Sequence, residues 1–428
     1  MLLKIAITFL LLSFINSCSW FDEKEEILPG KRQAVFQFDN DIILKSNEKI
    51  FIGDSVATEN WTQQYQNERN HLFHFKSKKS LKLKKKLKLN DIAFDKIDDV
   101  TIPVFSKDNV FYADNDYKIH SMNIENGKKN WKIQLKKEKE EKLPFIGGFA
   151  LHDNSLIITT GLGNVYLINA TNGEILWFKN FLVQFSRPPL VQNNKIYVVS
   201  DDNQTFTLNL TNGDLIWTHS GNLEEVSIIG GSKPVIHKNI LIVSYSSGEI
   251  YALNASDGTL LWFDNITSGN FFNKSSLNDI QSPISIVENS VFVPTFSDKF
   301  LAYNLSNGSE LWNIKISSIN PIVISGRSIY IIDTTGRLLC IDKNLGKLLW
   351  AVQLKISDKG EEISWYGPLL TSNKLILGSS NGSVLSISPF TGKLLSKVDF
   401  SEELVANPIQ IGEEIILISK EGTLFILG

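Results

Sequence analysis

The groups in this 428-residue chain that could bind a metal or carry acid–base and nucleophilic chemistry are six histidines, two cysteines and 46 acidic residues. Such chemistry needs those groups gathered in one place, and in a sequence that shows as short, fixed spacings. His71, His74, His120, His152, His219 and His237 show no such spacing; the closest pair, His71 and His74, falls in an irregular polar stretch. Carboxylates are plentiful, yet no spacing pairs them, and no Ser/His/Asp arrangement stands out. Cys18 and Cys340 are too few for a disulfide framework or a cysteine metal centre once Cys18 is otherwise engaged. Cys340, inside Leu338-Leu339-Cys340-Ile341, reads as a small core residue. The expectation is a protein that is not an enzyme and has neither metal nor cofactor.

Cys18 has a different chemistry. Lys4 precedes an apolar or small run from Ile5 to Ile15. That run is too short to span a bilayer, which takes about 20 residues, and fits the middle of a secretory signal. Ile15-Asn16-Ser17-Cys18 resembles the bacterial lipobox, in which the cysteine is acylated; Asn16 departs from the usual small residue. The resemblance implies a signal peptide over 1–17, lipid on Cys18 and a tether over 18–60. With Ser19 rather than Asp after the cysteine, it further implies lipid anchoring in the outer membrane, on the periplasmic face.

The rest of the chain must be positioned by strands. Hydrophobic residues make up 43% and charged residues 21%, a globular balance, and a net charge of −3 gives no pull toward nucleic acid. Ile, Val, Phe, Tyr and Trp alternate with polar residues nearly throughout. One phrase recurs, a glycine turn followed by tryptophan: ENGKKNW ends at Trp131, TNGEILW at Trp177, TNGDLIW at Trp217, SDGTLLW at Trp262, SNGSELW at Trp312 and NLGKLLW at Trp350. A degenerate copy, FTGKLLS, puts Ser396 in the tryptophan place. The steps of 46, 40, 45, 50, 38 and 46 residues match a propeller blade of four strands. Asn-Gly and Asp-Gly suit the tight hairpin before each outer strand. Six tryptophans at one phase read as wedges between blades rather than a ligand platform. Three strands follow the last copy and one orphan strand, from Leu81 toward Leu89, precedes the first. The expected fold is therefore all-β: an eight-bladed β-propeller of four-stranded antiparallel blades over 61–428. An N-terminal strand joins three C-terminal ones to close the ring. The eight lysines between Lys76 and Lys88 then either blunt a solvent-facing edge or bind anionic lipid or nucleic acid.

The run Ala252-Leu253-Asn254-Ala255-Ser256-Asp257-Gly258-Thr259-Leu260-Leu261-Trp262 resembles the pyrroloquinoline-quinone-type propeller repeat. With the lipobox, the blade count and Leu28-Pro29-Gly30-Lys31-Arg32, the chain resembles the BamB family of β-barrel assembly lipoproteins, in its alphaproteobacterial form. The resemblance implies a monomer within a hetero-oligomeric complex, docked on the periplasmic POTRA domains of a BamA-like barrel-inserting subunit, with unfolded outer membrane barrels as further partners. The family's docking surface maps onto Val226, Ser227, Ile228, Ile229 and Gly230, with Ile229 where Arg is common, and onto Asp279 and Gln281, the latter replacing a second Asp. Two other readings remain open. A quinone-dependent dehydrogenase shares the repeat, but the adjacent cysteines and haem motif of many such enzymes are lacking. A general periplasmic adaptor with a different protein partner differs only in what its loops bind.

Overall fold

The computed structural model describes residues 42–46, 48–78, 82–89, 92, 101–135, 145–222, 231–266, 280, 282–358 and 360–428. In it the alternating runs form eight four-stranded antiparallel blades, and blades 1 to 7 pair their strands in chain order. Blades 1 to 7 span 104–134, 146–180, 190–220, 235–265, 285–314, 323–353 and 365–399. Blade 8 combines Ile409–Ile411, Glu414–Ile418 and Thr423–Leu427 with Leu83–Lys88, which pairs antiparallel to the last of them. This is the eight-bladed propeller that the repeat implies, closed by the N-terminal strand. In blade 4 the strands are Val235–His237, Ile240–Ser244, Glu249–Asn254 and Leu260–Asn265. The first three are largely buried and the fourth exposes most of its side chains, so burial grades from axis to rim.

The tryptophans lie on the fourth strands and reach across to the next blade. Each indole donates to a backbone carbonyl there: Trp131 to Ala170, Trp177 to Leu210, Trp217 to Ala255, Trp262 to Leu305, Trp312 to Lys343 and Trp350 to Pro389, at 2.7–3.3 Å. The ring covers the glycine of that blade's own turn. At Gly308, with φ of 72°, a Cβ would lie 2.7 Å from the Trp262 ring. The recurring glycine thus supplies both the left-handed turn and the room for its neighbour's indole. This explains Ser396. Blade 8 takes its third and fourth strands from opposite ends of the chain, so no glycine turn exists there for a blade 7 tryptophan to cover. Across the seam, Leu87 packs on Gly127 of blade 1. The lysines of the closing strand are engaged at the rim: Lys84 with Glu414, Lys85 with the carbonyls of Ile124 and Glu125, and Lys86 over the Phe425 ring at 4.9 Å.

Beside a two-stranded hairpin, Ser357–Asp358 with Glu361–Glu362, between blades 6 and 7, two further features lie outside the repeat among the described residues. Ile42–Lys45 pairs with Leu348–Gln353 as a fifth strand of blade 6. Trp350 beneath it is 1% exposed, against 8% for Trp262. Residues 58–78 form an inner loop that meets the first strand of every blade in ring order. Trp61 exchanges two backbone hydrogen bonds with Phe105 of blade 1, and the Thr62 carbonyl accepts from Leu151 of blade 2. Gln63 Nε2 donates to Val191 O of blade 3. The carbonyls of Glu68, Arg69 and Leu72 accept from Ile236, Ile286 and Ile324 of blades 4, 5 and 6. Phe75 pairs with Leu370 and Ser372 of blade 7, and Gln410 of blade 8 donates to Lys76 O. Val56 bridges back to His74 and Lys76, which closes the loop on itself. Innermost strands have one unpaired edge facing the axis, and this segment supplies its partners. Among the described residues, pairing with the blades is already present at Ile42, within the stretch that the sequence assigns to a tether. The polar, aperiodic run hides this because its contacts run through backbone groups rather than an alternating face.

Candidate docking site

A catalytic site in a propeller would need open space or a set of convergent polar groups, and the axis is where eight blades converge. Here the inner loop occupies it. Trp61 and Phe75 have ring centroids 6.1 Å apart, His71 and Phe73 4.2 Å, and Arg69 lies over Phe73 at 6.0 Å. His71 Nε2 bonds Ile324 O at 3.1 Å, and burial pushes the imidazole down to about 4. A buried acid–base pair among the described residues lies in blade 1: His120 Nε2 meets Asp114 at 2.8 Å, stacked on Tyr112. Asp114 also accepts from the amides of Asp116 and Lys118, so its carboxylate fixes a turn and a histidine within one hairpin. Burial lowers the His120 pKa against the pull of Asp114. Among the described residues no cluster of three His, Cys, Asp or Glu could hold a metal ion. Cys340 is buried, and burial pushes its thiol up to about 12, far from a reactive thiolate.

The loops singled out by sequence connect blade 3 to blade 4 and blade 4 to blade 5. Val226, Ser227, Ile228, Ile229, Gly230, Asp279 and Gln281 lie outside the described residues, as does Cys18. Their supports are described. Where the first loop leaves blade 3, Gly221 N donates to Asn203 O, and a Cβ on Gly221 would lie 2.3 Å from the Tyr245 ring. Asn203 Nδ2 holds Asn222 O at 2.7 Å, and its Oδ1 accepts from Ser246 N and Oγ. The buried Glu249 carboxylate accepts from Asn222 N at 3.0 Å and from Ser247 Oγ at 2.8 Å. Where the loop enters blade 4, Gly231 passes against the Arg187 guanidinium, itself buried and bonded to Ser244 O at 2.6 Å. Ser232 then ties the two loops together: its N donates to Ile280 O, and its Oγ accepts from Ile284 N. Ile280, between Asp279 and Gln281, is buried in the core of blades 4 and 5. Lys233 is buried with Nζ on Asn67 O at 3.0 Å, and burial lowers it to about 7.

The described ends of the two loops, at 221–222, 231–233 and 280–284, are thus tied to each other and to the blades largely by buried polar groups. Sequence reasoning found the loops but not Asn203, Glu249, Arg187 or Lys233. Third strands open with Lys118, Asn164, Gln204, Glu249, Phe300, Arg337, Ser383 and Thr423, so a polar residue at that phase carries no signal until the structure shows Glu249 to be the one charged residue among them that is buried.

Comparison with known proteins gives a consistent family. The family described as outer membrane protein assembly factor BamB matches residues 115–352. The outer membrane protein assembly factor BamB of Escherichia coli is 24% identical over 326 residues, 74% of this chain and 82% of that protein. The crystal structure of BamB from Moraxella catarrhalis superposes with a TM-score of 0.65 at 16% identity, over 81% of this chain and 97% of that one. Quinohemoprotein alcohol dehydrogenase from Comamonas testosteroni gives a TM-score of 0.67 at 11% identity, over 87% and 81%. Both structural likenesses are of fold.

Proposed function

The chain belongs to the BamB family of outer membrane protein assembly factors, and we propose that it is a non-enzymatic scaffold of the outer membrane β-barrel assembly machinery. In this reading Cys18 carries the lipid that holds it to the outer membrane on the periplasmic face. The loops bearing Val226 to Gly230, Asp279 and Gln281 dock on the POTRA domains of a BamA-like barrel-inserting subunit and so aid barrel assembly and insertion. The observation that carries the reading is the inner loop over residues 58–78. It gives the axis of the propeller to the chain's own backbone, and leaves loops and rim as the working surfaces. The likeness to an alcohol dehydrogenase supports a shared scaffold and supplies no site.

Capture of the barrel-inserting subunit by the membrane-extracted protein tests this. Val226→Asp with Ile228→Asp is expected to abolish capture while the circular-dichroism melt stays that of the wild type, because apolar anchors dominate such interfaces at about 2 kcal/mol or more each. Asp279→Ala is expected to weaken capture less, since Gln281 lacks the second carboxylate of the family pattern. Full capture by the folded double variant removes this loop from the interface, and a different co-purifying chain favours the general adaptor. For the anchor, Cys18→Ala should abolish labelling by a fatty acid and release the protein from the outer membrane. A wild type that takes up no label refutes lipidation.

A further inference from the structure

The seams from blade 1 through to blade 7 are each closed by an indole, and neither seam of blade 8 has one. Ser396 stands in the tryptophan place on the blade 7 side, and on the blade 1 side that place is taken by Lys85. The correspondence holds contact by contact. Trp262 follows a register shift at Leu261, and Lys85 follows one at Lys84. Trp262 bonds the carbonyl of Leu305, one residue beyond the third strand of blade 5. Lys85 Nζ donates at 2.6 Å to the carbonyl of Ile124, one residue beyond the third strand of blade 1. Gly308 lies under the Trp262 ring, and Gly127 lies under Leu87. We propose that blade 8 is where the ring opens, and that its outer strand Leu83–Lys88 is an electrostatic clasp which ionic strength loosens.

The side chains that hold this strand are mostly charged. Lys84 pairs with Glu414, Lys85 also reaches the Glu125 carbonyl, Lys86 lies over the Phe425 ring at 4.9 Å, and Lys88 meets Glu421 at 3.9 Å. Lys84 and Lys88 expose more than half of their side chains, so both ion pairs stand in water, where salt screens them. Only Lys85 and Leu87 of the strand are half-buried. In blade 4 the same position carries a nearly buried ring, and salt does not weaken the burial of apolar surface.

Opening stops at this one strand. The three C-terminal strands of blade 8 are buried almost throughout, Phe425 packs on Phe400 at the end of blade 7 with centroids 4.5 Å apart, and Gly412 N donates to Thr58 O of the inner loop at 2.7 Å. Every other fourth strand is joined by a hairpin to the strand that it pairs with, and Leu83–Lys88 has no such link. Once parted, it is not kept beside its edge by a short loop. Its departure leaves Thr423–Leu427 as an open sheet edge, with backbone groups free to pair again.

Hydrogen exchange of the full-length protein, read by mass spectrometry, tests this. Peptides covering Leu83–Lys88 and Thr423–Leu427 are compared with those covering Leu260–Asn265 and Glu249–Asn254 of blade 4. The blade 8 amides are expected to exchange about tenfold faster than those of blade 4. Raising sodium chloride from about 20 mM to about 1 M should speed the blade 8 amides alone, by about tenfold. Lys84→Gln with Lys88→Gln should show the fast exchange already at low salt and lose the dependence on salt, with blade 4 unchanged. Blade 8 amides that exchange no faster than those of blade 4 overturn the proposal, as does exchange that salt leaves unchanged or speeds equally in both blades. The salt series on the wild type decides the matter even where the double variant does not fold.

Discussion

Trp262→Ala is expected to lower the stability of the folded chain by about 3–5 kcal/mol, the usual scale for removing a large aromatic from a packed site. The Trp262 indole is nearly buried, bonds Leu305 O at 2.7 Å, stacks near Tyr303 at 5.9 Å and covers Gly308. Alanine would leave a void between blades 4 and 5 and expose the Leu305 carbonyl to a space with no donor. A shortened side chain cannot be replaced from the turn, because any Cβ on Gly308 is barred by its own φ. Denaturant unfolding followed by tryptophan-independent circular dichroism measures the change. An unchanged midpoint together with lost partner binding would make the tryptophan a recognition surface instead.

Phe75→Ala should have an effect of similar size, about 3–5 kcal/mol, from a residue outside every repeat. Phe75 is fully buried and joins three things at once. Its backbone bonds Leu370 and Ser372 of blade 7, its ring meets Trp61 and Phe73, and Val56 bridges beside it. Loss of the ring should loosen the inner loop before the blades, so limited proteolysis is expected to cut within residues 58–78 of the variant and spare them in the wild type. Equal protection and an equal thermal midpoint would show that the loop is a passenger in the channel.

These two residues mark what could be read from the chain alone. Trp262 was legible because its contact recurs, and each glycine–tryptophan phrase repeats one contact in the next blade. Even the exception at Ser396 follows from a seam that the strand count places there. Phe75 was not legible as a core residue. The inner loop meets most blades through one or two backbone hydrogen bonds, which any side chain permits, and blade 3 through the Gln63 side chain, so Gln63, Glu68, Arg69 and Leu72 share no type and no period. The loops proposed to dock were named by resemblance, at Val226 to Gly230 and at Asp279, which lie outside the described residues. Their supports were not, because Asn203 and Glu249 act by being buried under a neighbouring turn, a property of packing between blades that no single repeat encodes.

The inner loop also imposes an order of events. Residues 58–78 are among the first of the folded part to be made, yet their partners arrive one blade at a time, ending with Gln410, which lies 334 positions from Lys76. A contact of that separation forms late, because the chain between must be organised before the closure entropy is recovered. The loop therefore cannot complete its bonds until blade 8 exists, and a chain with one blade missing or misplaced leaves part of it unpaired. The N-terminal segment thus acts as a check on completion: it reports, through its own hydrogen bonds, that all eight blades have been delivered and seated. Until then part of this strand has no blade edge to pair with, so an incomplete chain exposes unpaired backbone near its N-terminal end.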